Sequence, residues 1–255
     1  MRALLSSGLL SLTLACGATG PQQPPSAGHD APTTLLHTPP PKRDAAEPQP
    51  SSALLPVDVD DGVWGEPEAP VTLLVFTDLQ CRFCAEAHAV LTALQRKYGE
   101  TRLRVVVKHV PLARHPFAVP AARVAQAVLE LGGRRRFFEY LDSAYSNPDA
   151  VASGAVLELG VALQLDAEQL KALAGSTALG EQVLRDALLA EKLGIAATPH
   201  FRINGLPLTG VQPLETLSAL VDAELREAAT LRERGAPPNT LYAQRVSVNI
   251  SKPER

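Results

Sequence analysis

Phe76-Thr77-Asp78-Leu79-Gln80-Cys81-Arg82-Phe83-Cys84-Ala85 joins two contrasting patterns in a chain of 255 residues. On its N-terminal side, Val71 to Thr77 is apolar and β-branched, the signature of a buried strand. On its C-terminal side, Ala85, Val90, Leu91 and Leu94 recur at helical spacing, so a helix is expected from Ala85 to Lys97, with Gly99 near its end. A second buried strand, Leu103 to Val110, follows and is stopped by Pro111. The order is strand, helix, strand, and a Cys-x-x-Cys pair sits at the carboxyl end of the first strand. Ligands and chemistry collect at that end of strands in open α/β sheets.

The thiolate is the reactive form of cysteine, and a free cysteine ionises near pH ~8.5. A helix N-terminus carries unpaired N–H groups and the positive end of the dipole, both of which favour negative charge. Cys81 is therefore the candidate attacking thiol. Arg82 adds a neighbouring cation. Cys84 lies one turn on, within reach of a mixed disulfide at Cys81, and is the candidate resolving thiol. Phe83 is expected to shield the pair and to offer an apolar surface to an unfolded client. Competing readings fit less well. A c-type haem needs His directly after the second cysteine, where Ala85 stands. Iron–sulfur ligation needs more cysteines. Zinc could draw on Cys81, Cys84 and His88, with His109 or His115 as a fourth ligand, but no second ligand pair at metal spacing is present. A static disulfide is a further reading.

The remainder reads as an α/β domain over 57–230. Val57 to Asp60 alternates like a short edge strand, and turn residues from Asp61 to Pro70 follow. After Pro111 come helices at Ala118–Leu131, Arg134–Tyr145, Asp149–Leu159, Ala167–Ala174 and Thr177–Leu193, separated by Gly132-Gly133, Asn147-Pro148, Gly160 and Gly194. Asp166 is the expected N-cap of the fourth, with Gln169 three residues on. His200–Ile203 and Leu206–Thr209 form a hairpin through Asn204-Gly205. A last helix is expected from Pro213 to Ala229. The tail, 231–255, carries a short helical turn near Asn239–Gln244 and a β-prone end at Val246–Ile250. Arg134-Arg135-Arg136 reads as a solvated helix start, and His88 as a helix-surface residue. His109 and His115 fit structural roles near the rim of the dithiol.

Composition bounds the function. A formal charge of -3 and 4% aromatic residues give neither a basic footprint nor a base-stacking surface, so nucleic acid is not an expected partner. Three cysteines, two of them in one pair, do not make a disulfide scaffold. Residues 1–16 look like a signal peptide, and Leu12-Thr13-Leu14-Ala15-Cys16-Gly17 is similar to a bacterial lipobox, with Cys16 as the lipid anchor. Thr13-Leu14-Ala15 also suits an ordinary signal peptidase, which would leave a soluble exported protein. Ten of the chain's 22 prolines lie between Pro21 and Pro56, so residues 17–56 read as a semi-extended linker that cannot bury a core.

These motifs together resemble the DsbA-like branch of the thioredoxin-fold thiol:disulfide oxidoreductases. The likeness runs from about Val57 to Ala229. It is carried by Pro70-Val71-Thr72 with Phe76 to Cys81, by Lys108-His109-Val110-Pro111-Leu112 with His115-Pro116, by Ala196 to Gly205, and by Leu208 to Pro213. The resemblance implies a thioredoxin fold with a helical insertion between the second parallel strand and the hairpin. It also implies a cis Pro199 beside Cys81 and backbone pairing of Thr198 with a client strand. Two positions depart from the pattern. Arg82 stands where the family often has Pro, and Val75 stands where a buried acid often lies six residues before the first cysteine.

The expected activity is disulfide exchange with cysteine-containing exported clients in the bacterial envelope, without a cofactor. Oxidation is the first direction, reduction of particular clients the second, and a binding module with a structural disulfide the contrasting class. A separate redox partner would reset the pair. No dimerisation arm is evident, so a monomer is expected.

Overall fold

The computed structural model describes residues 52–253. The expected signal peptide, Cys16 and the linker up to residue 51 lie outside the described residues. Five strands form one sheet: β1 (Gly62–Trp64), β2 (Val71–Thr77), β3 (Leu103–His109), β4 (His200–Ile203) and β5 (Leu206–Thr209), in the order β1-β3-β2-β4-β5. β2 and β3 are parallel, with Val75 opposite Val107, and the other pairings are antiparallel. This is the thioredoxin-like α/β arrangement with a helical insertion after β3.

Every residue of β2 and β3 is buried, because both faces of the sheet are covered. That explains runs without polar alternation. On one face, Leu73, Val75, Val105 and Val107 pack with α1 (Arg82–Tyr98), α2 (Ala118–Ser146) and α7 (Leu214–Glu233). On the other, Leu74, Phe76 and Val106 pack with Tyr242 and Val246 of α8 (Leu241–Asn249). The insertion continues from α2 through α3 (Pro148–Ala152), α4 (Val156–Val161), α5 (Ala167–Ala174) and α6 (Thr177–Lys192). Asp166 caps α5 by accepting from the Gln169 N–H at 2.8 Å.

Four expectations change. Val57–Asp60 is not a strand. Val57 is buried, while the Asp58 N–H donates to the Asp61 carboxylate in a turn, and the edge strand is β1 instead. Leu55, assigned to the end of the linker, is fully buried, so packing begins before Val57. The helices expected either side of Gly132-Gly133 are separated there as expected: within α2 the helical backbone is broken at Gly133, which takes φ 72° and ψ -176°. The helix expected over Asp149–Leu159 is split into α3 and α4.

The β-prone tail is the largest change, since Val246 lies in α8. Leu241, Tyr242, Arg245, Val246 and Asn249 are all buried, which is helical spacing, and tertiary burial overrides the β-propensity. The Asn204-Gly205 turn, with φ 45° and 96°, packs against this helix. A Cβ on Gly205 would stand 3.1 Å from the Val246 Cα. The Arg245 guanidinium makes two 2.8 Å bonds to Glu224, which also accepts from Asn249.

Candidate active site

β2 delivers Asp78 to Gln80 as a tight loop, and Cys81 is the N-cap of α1, with extended backbone at φ -84° and ψ 118°. The Cys84 and Ala85 N–H groups donate to the Cys81 carbonyl at 3.0 and 3.2 Å, closing the first turn. The first turn of α1 carries no acidic side chain that would oppose a thiolate there. The two cysteines are unlinked, so the site is in its dithiol form.

The two thiols are strongly unequal. A hydrogen bond from the Cys84 side chain stabilises the Cys81 thiolate; burial opposes it, and further bonds from the Cys84 and Phe83 backbone and the Thr198 side chain help. Together they bring Cys81 from the ordinary 9.0 to about 5. Burial pushes Cys84 the other way, and its bond to Cys81 adds to the rise. Cys81 is thus a thiolate at neutral pH and Cys84 a thiol, the division of labour expected of an attacking and a resolving cysteine.

The Thr198–Pro199 peptide is cis, and the Cys81 Sγ lies 3.7 Å from the Thr198 carbonyl. The Thr198 hydroxyl is buried without another hydrogen-bond partner. The Pro199 carbonyl accepts from Gly210, which fixes the loop against the end of β5. The two segments singled out in the sequence therefore meet. Phe83 is 48% exposed and presents an apolar face at the site. Arg82 differs from expectation. Its guanidinium lies 4.9 Å from the centre of the Phe83 ring and 3.9 Å from Glu86, on a side chain 80% exposed. It is engaged by its own helix rather than held against the Cys81 thiol.

Asp78 is buried and organises the loop. One carboxylate oxygen accepts from the Gln80 N–H, and the other from the Leu112 N–H and lies 2.8 Å from His115 Nδ1. Its own N–H points at the Cys84 sulfur at 3.5 Å. His109 does not reach the rim. It is enclosed against the Phe137 ring, and burial, with the Lys108 charge, pulls it down to about 4. Neither histidine joins the cysteines in a metal set. Among the described residues the one acidic cluster with metal-like spacing is Asp58, Asp60 and Asp61. There Asp58 and Asp61 hold the buried Lys108 ammonium, and Asp60 holds Arg185.

His88 is the residue that sequence reasoning misplaced. Its side chain is 14% exposed rather than on the surface, and Nε2 lies 2.6 Å from Asp142. It lines a small cavity beneath Cys84 with Val75, Thr77, Val107 and Tyr145. Its position four residues after Cys84 was the available signal, since that spacing shares one helix face.

The match to a protein-family model described as thioredoxin covers residues 58–223. A Na(+)/H(+) antiporter NhaA 3 of Salinispora tropica is 31% identical over 188 residues, 73% of this chain and 28% of that relative. The chain therefore spans little more than a quarter of that relative's length. Among the described residues no helix is long and apolar enough to cross a membrane. Among solved structures, alpha-DsbA1 of Wolbachia pipientis superposes with a TM-score of 0.62 at 22% identity, over 69% of this chain and 96% of that one. The thiol-disulfide exchange protein alpha-DsbA2 of the same organism gives 0.59 at 20% identity, over 65% and 88%. At these identities the likeness establishes the fold.

Proposed function

The chain belongs to the thioredoxin family, and from that premise we propose that it is a thiol:disulfide oxidoreductase working through Cys81 and Cys84. The observation that carries this reading is the polarised dithiol. Cys81 is a stabilised thiolate at a helix N-terminus against the Thr198 carbonyl, and Cys84 is a buried thiol one turn away. A scaffold disulfide has no use for this asymmetry. The neighbouring exchange protein in Wolbachia has the same fold, which supports the reading.

In the oxidising direction, a client thiolate attacks the Cys81 sulfur of the Cys81–Cys84 disulfide. A client–Cys81 bond forms and Cys84 leaves with the electron pair. A second client thiolate attacks the client sulfur, and Cys81 departs as a thiolate. The client loses two electrons and the protein gains them. Stabilising the reduced form makes the disulfide a stronger oxidant, so the depressed Cys81 favours oxidation. Thr198 and Pro199 supply the backbone against which an extended client segment is laid, and Phe83 the apolar contact. The clients are cysteine-containing exported proteins, and a separate partner resets the pair. The signal-like residues 1–16 and the lipobox at Cys16 support an envelope location with a lipid anchor.

The experiment is refolding of a reduced, unfolded client with the oxidised protein. Stoichiometric loss of client thiols matched by gain of Cys81 and Cys84 thiols is expected. A pair that resists mild dithiothreitol and leaves the client reduced would make this a binding module instead.

A further inference from the structure

The Cys84 proton presents a problem that the dithiol alone does not solve. Exchange requires Cys84 to gain a proton when it leaves Cys81 and to lose it when it attacks again. Burial holds that proton tightly. The sheet beneath offers no carboxylate, because Val75, Val105 and Val107 form that wall of the cavity and Leu91 and Leu141 add to it. Among the residues lining the cavity, only Cys84, His88 and Tyr145 can titrate.

We propose that His88, backed by Asp142, exchanges the Cys84 proton with solvent through one water in the shared cavity and the hydroxyls of Tyr145 and Thr77. The proposal rests on the oxidoreductase reading and names the residue that serves its buried thiol. Thr77 Oγ1 and Tyr145 OH are 2.5 Å apart, and the Thr77 hydroxyl favours the Cys84 thiolate. A hydroxyl both donates and accepts, so the pair can pass a proton either way. Burial pushes Tyr145 well above its ordinary range, so it carries the proton as a neutral hydroxyl. The His88 and Tyr145 rings lie 4.8 Å apart between centres. The cavity they share with Cys84 leaves about 10 Å3, close to what one water molecule needs.

The far end reaches solvent. With Nε2–H donating to Asp142, the neutral His88 ring keeps Nδ1 as its basic nitrogen. Asp142 is 62% exposed and lines a surface groove of about 490 Å3 with Trp64, Arg135 and Glu139. Other charges near Cys84 are committed elsewhere. Asp78, on the loop, is tied to Gln80, Leu112 and His115, and Cys81 is the reacting partner. An imidazole can take up a proton at one ring nitrogen and release one from the other, which suits two-way transfer.

The steps balance. When the Cys81–Cys84 bond breaks, Cys84 takes the electron pair, and a proton moves from the His88 imidazolium through the water, Tyr145 and Thr77 to Cys84. The ring is left with Nε2–H on Asp142; when the proton later returns to Nδ1, the Nε2 proton leaves to solvent by Asp142, and Nε2 is protonated from that side again before the next cycle. On reoxidation by a disulfide substrate, Cys84 returns its proton by the same route and attacks Cys81, and the substrate leaves as a thiolate.

The test is a single turnover of the reduced protein with oxidised glutathione, quenched in acid and resolved by mass. It separates formation of the Cys81–glutathione mixed disulfide from its resolution by Cys84. His88→Ala is expected to leave the first step unchanged and to slow resolution roughly a hundredfold, with recovery on adding imidazole. Thr77→Val, which keeps the shape and breaks the hydroxyl link, slows the same step and is not rescued. Resolution within twofold of wild type in both variants, or a slow His88→Ala variant that imidazole does not rescue, overturns the relay. A wild type that forms neither the mixed disulfide nor the Cys81–Cys84 disulfide would overturn the oxidoreductase reading itself, a different result from loss of the relay.

Discussion

Cys81 and Thr198 stand 117 positions apart in the chain, yet the Cys81 sulfur lies 3.7 Å from the Thr198 carbonyl. This contact closes the site. One side is the N-terminus of α1, which stabilises a thiolate, and the other is the cis Thr198–Pro199 loop, along which the proposed client strand would lie. A reactive sulfur beside a backbone edge that could take an added strand is a geometry suited to forming a mixed disulfide with an extended peptide.

The first prediction follows from the inequality of the two thiols. Cys84→Ser accumulates mixed disulfides with clients that bring a disulfide, because Cys81 attacks that bond, one client sulfur leaves as a thiolate, and nothing resolves the adduct. Cys81→Ser accumulates none, since its remaining thiol is buried and held protonated. Non-reducing gels and mass spectra of the trapped adducts check both. Equal trapping by both variants would reverse or erase the assignment.

A second prediction concerns pH. In the folded reduced protein Cys81 ionises at about 5, against an ordinary 9.0. Between those values the folded state binds fewer protons than the unfolded state, so stability rises with pH. The contribution is fully present above about pH 9 and is lost as pH falls through about 5. The reduced form is thus expected to gain on the oxidised form from pH 5 to pH 9. Urea melts of both forms across this range measure the gain. Iodoacetamide labelling of Cys81 follows the same ionisation, with a midpoint near pH 5.

Lys108 gives a third prediction. Its buried ammonium lies 2.8 Å from Asp61 and 3.3 Å from both Asp186 and Asp58, and Asp186 also accepts the His109 N–H. Burial pushes Asp61 up to about 7 and Asp186 to about 6, with Lys108 holding both back. A raised carboxylate stabilises the fold below its unfolded value of 3.8 and loses that contribution as pH rises through the folded value. Lys108→Met removes the cation and leaves the carboxylates facing one another. A loss of about 3–5 kcal/mol is expected at pH 8. At pH 5 the loss is smaller, because the carboxylates are then protonated. Chemical denaturation at the two pH values is the measurement.

The C-terminal helix supplies a fourth. Tyr242 is buried against Phe76 and Val106, and its hydroxyl donates to the Leu55 carbonyl at 2.9 Å. Tyr242→Phe should cost about 0.5–1.5 kcal/mol and Tyr242→Ala about 3–5 kcal/mol. Urea titrations distinguish them. An Ala variant as stable as wild type would mean that the helix does not cover the sheet.

Local pattern was enough for the parts of the fold whose signals are short-range. The run Val71–Thr77, the helix after Cys81 and the Asn204-Gly205 hairpin each carry their own chemistry within a few residues. The Thr198-Pro199 loop was legible through resemblance, and its contact with Cys81 was not readable from spacing. The rest depends on partners far away in sequence. His88 looks like a surface residue until α2 brings Asp142 and Tyr145 beside it, 54 and 57 positions on. Val246 looks like a strand residue until the sheet face formed by Leu74 and Val106 buries one side of α8. Arg82 looks like a thiol-tuning cation until Phe83 and Glu86 occupy its guanidinium.

The most direct measurement is the redox equilibrium of the Cys81–Cys84 pair in glutathione buffers, followed by thiol alkylation. A single two-electron transition is expected, with a potential closer to about -120 mV than to about -270 mV, in keeping with a stabilised Cys81 thiolate. A pair that stays wholly reduced or wholly oxidised across the buffers would contradict thiol exchange, and a transition near about -270 mV would contradict the oxidising direction.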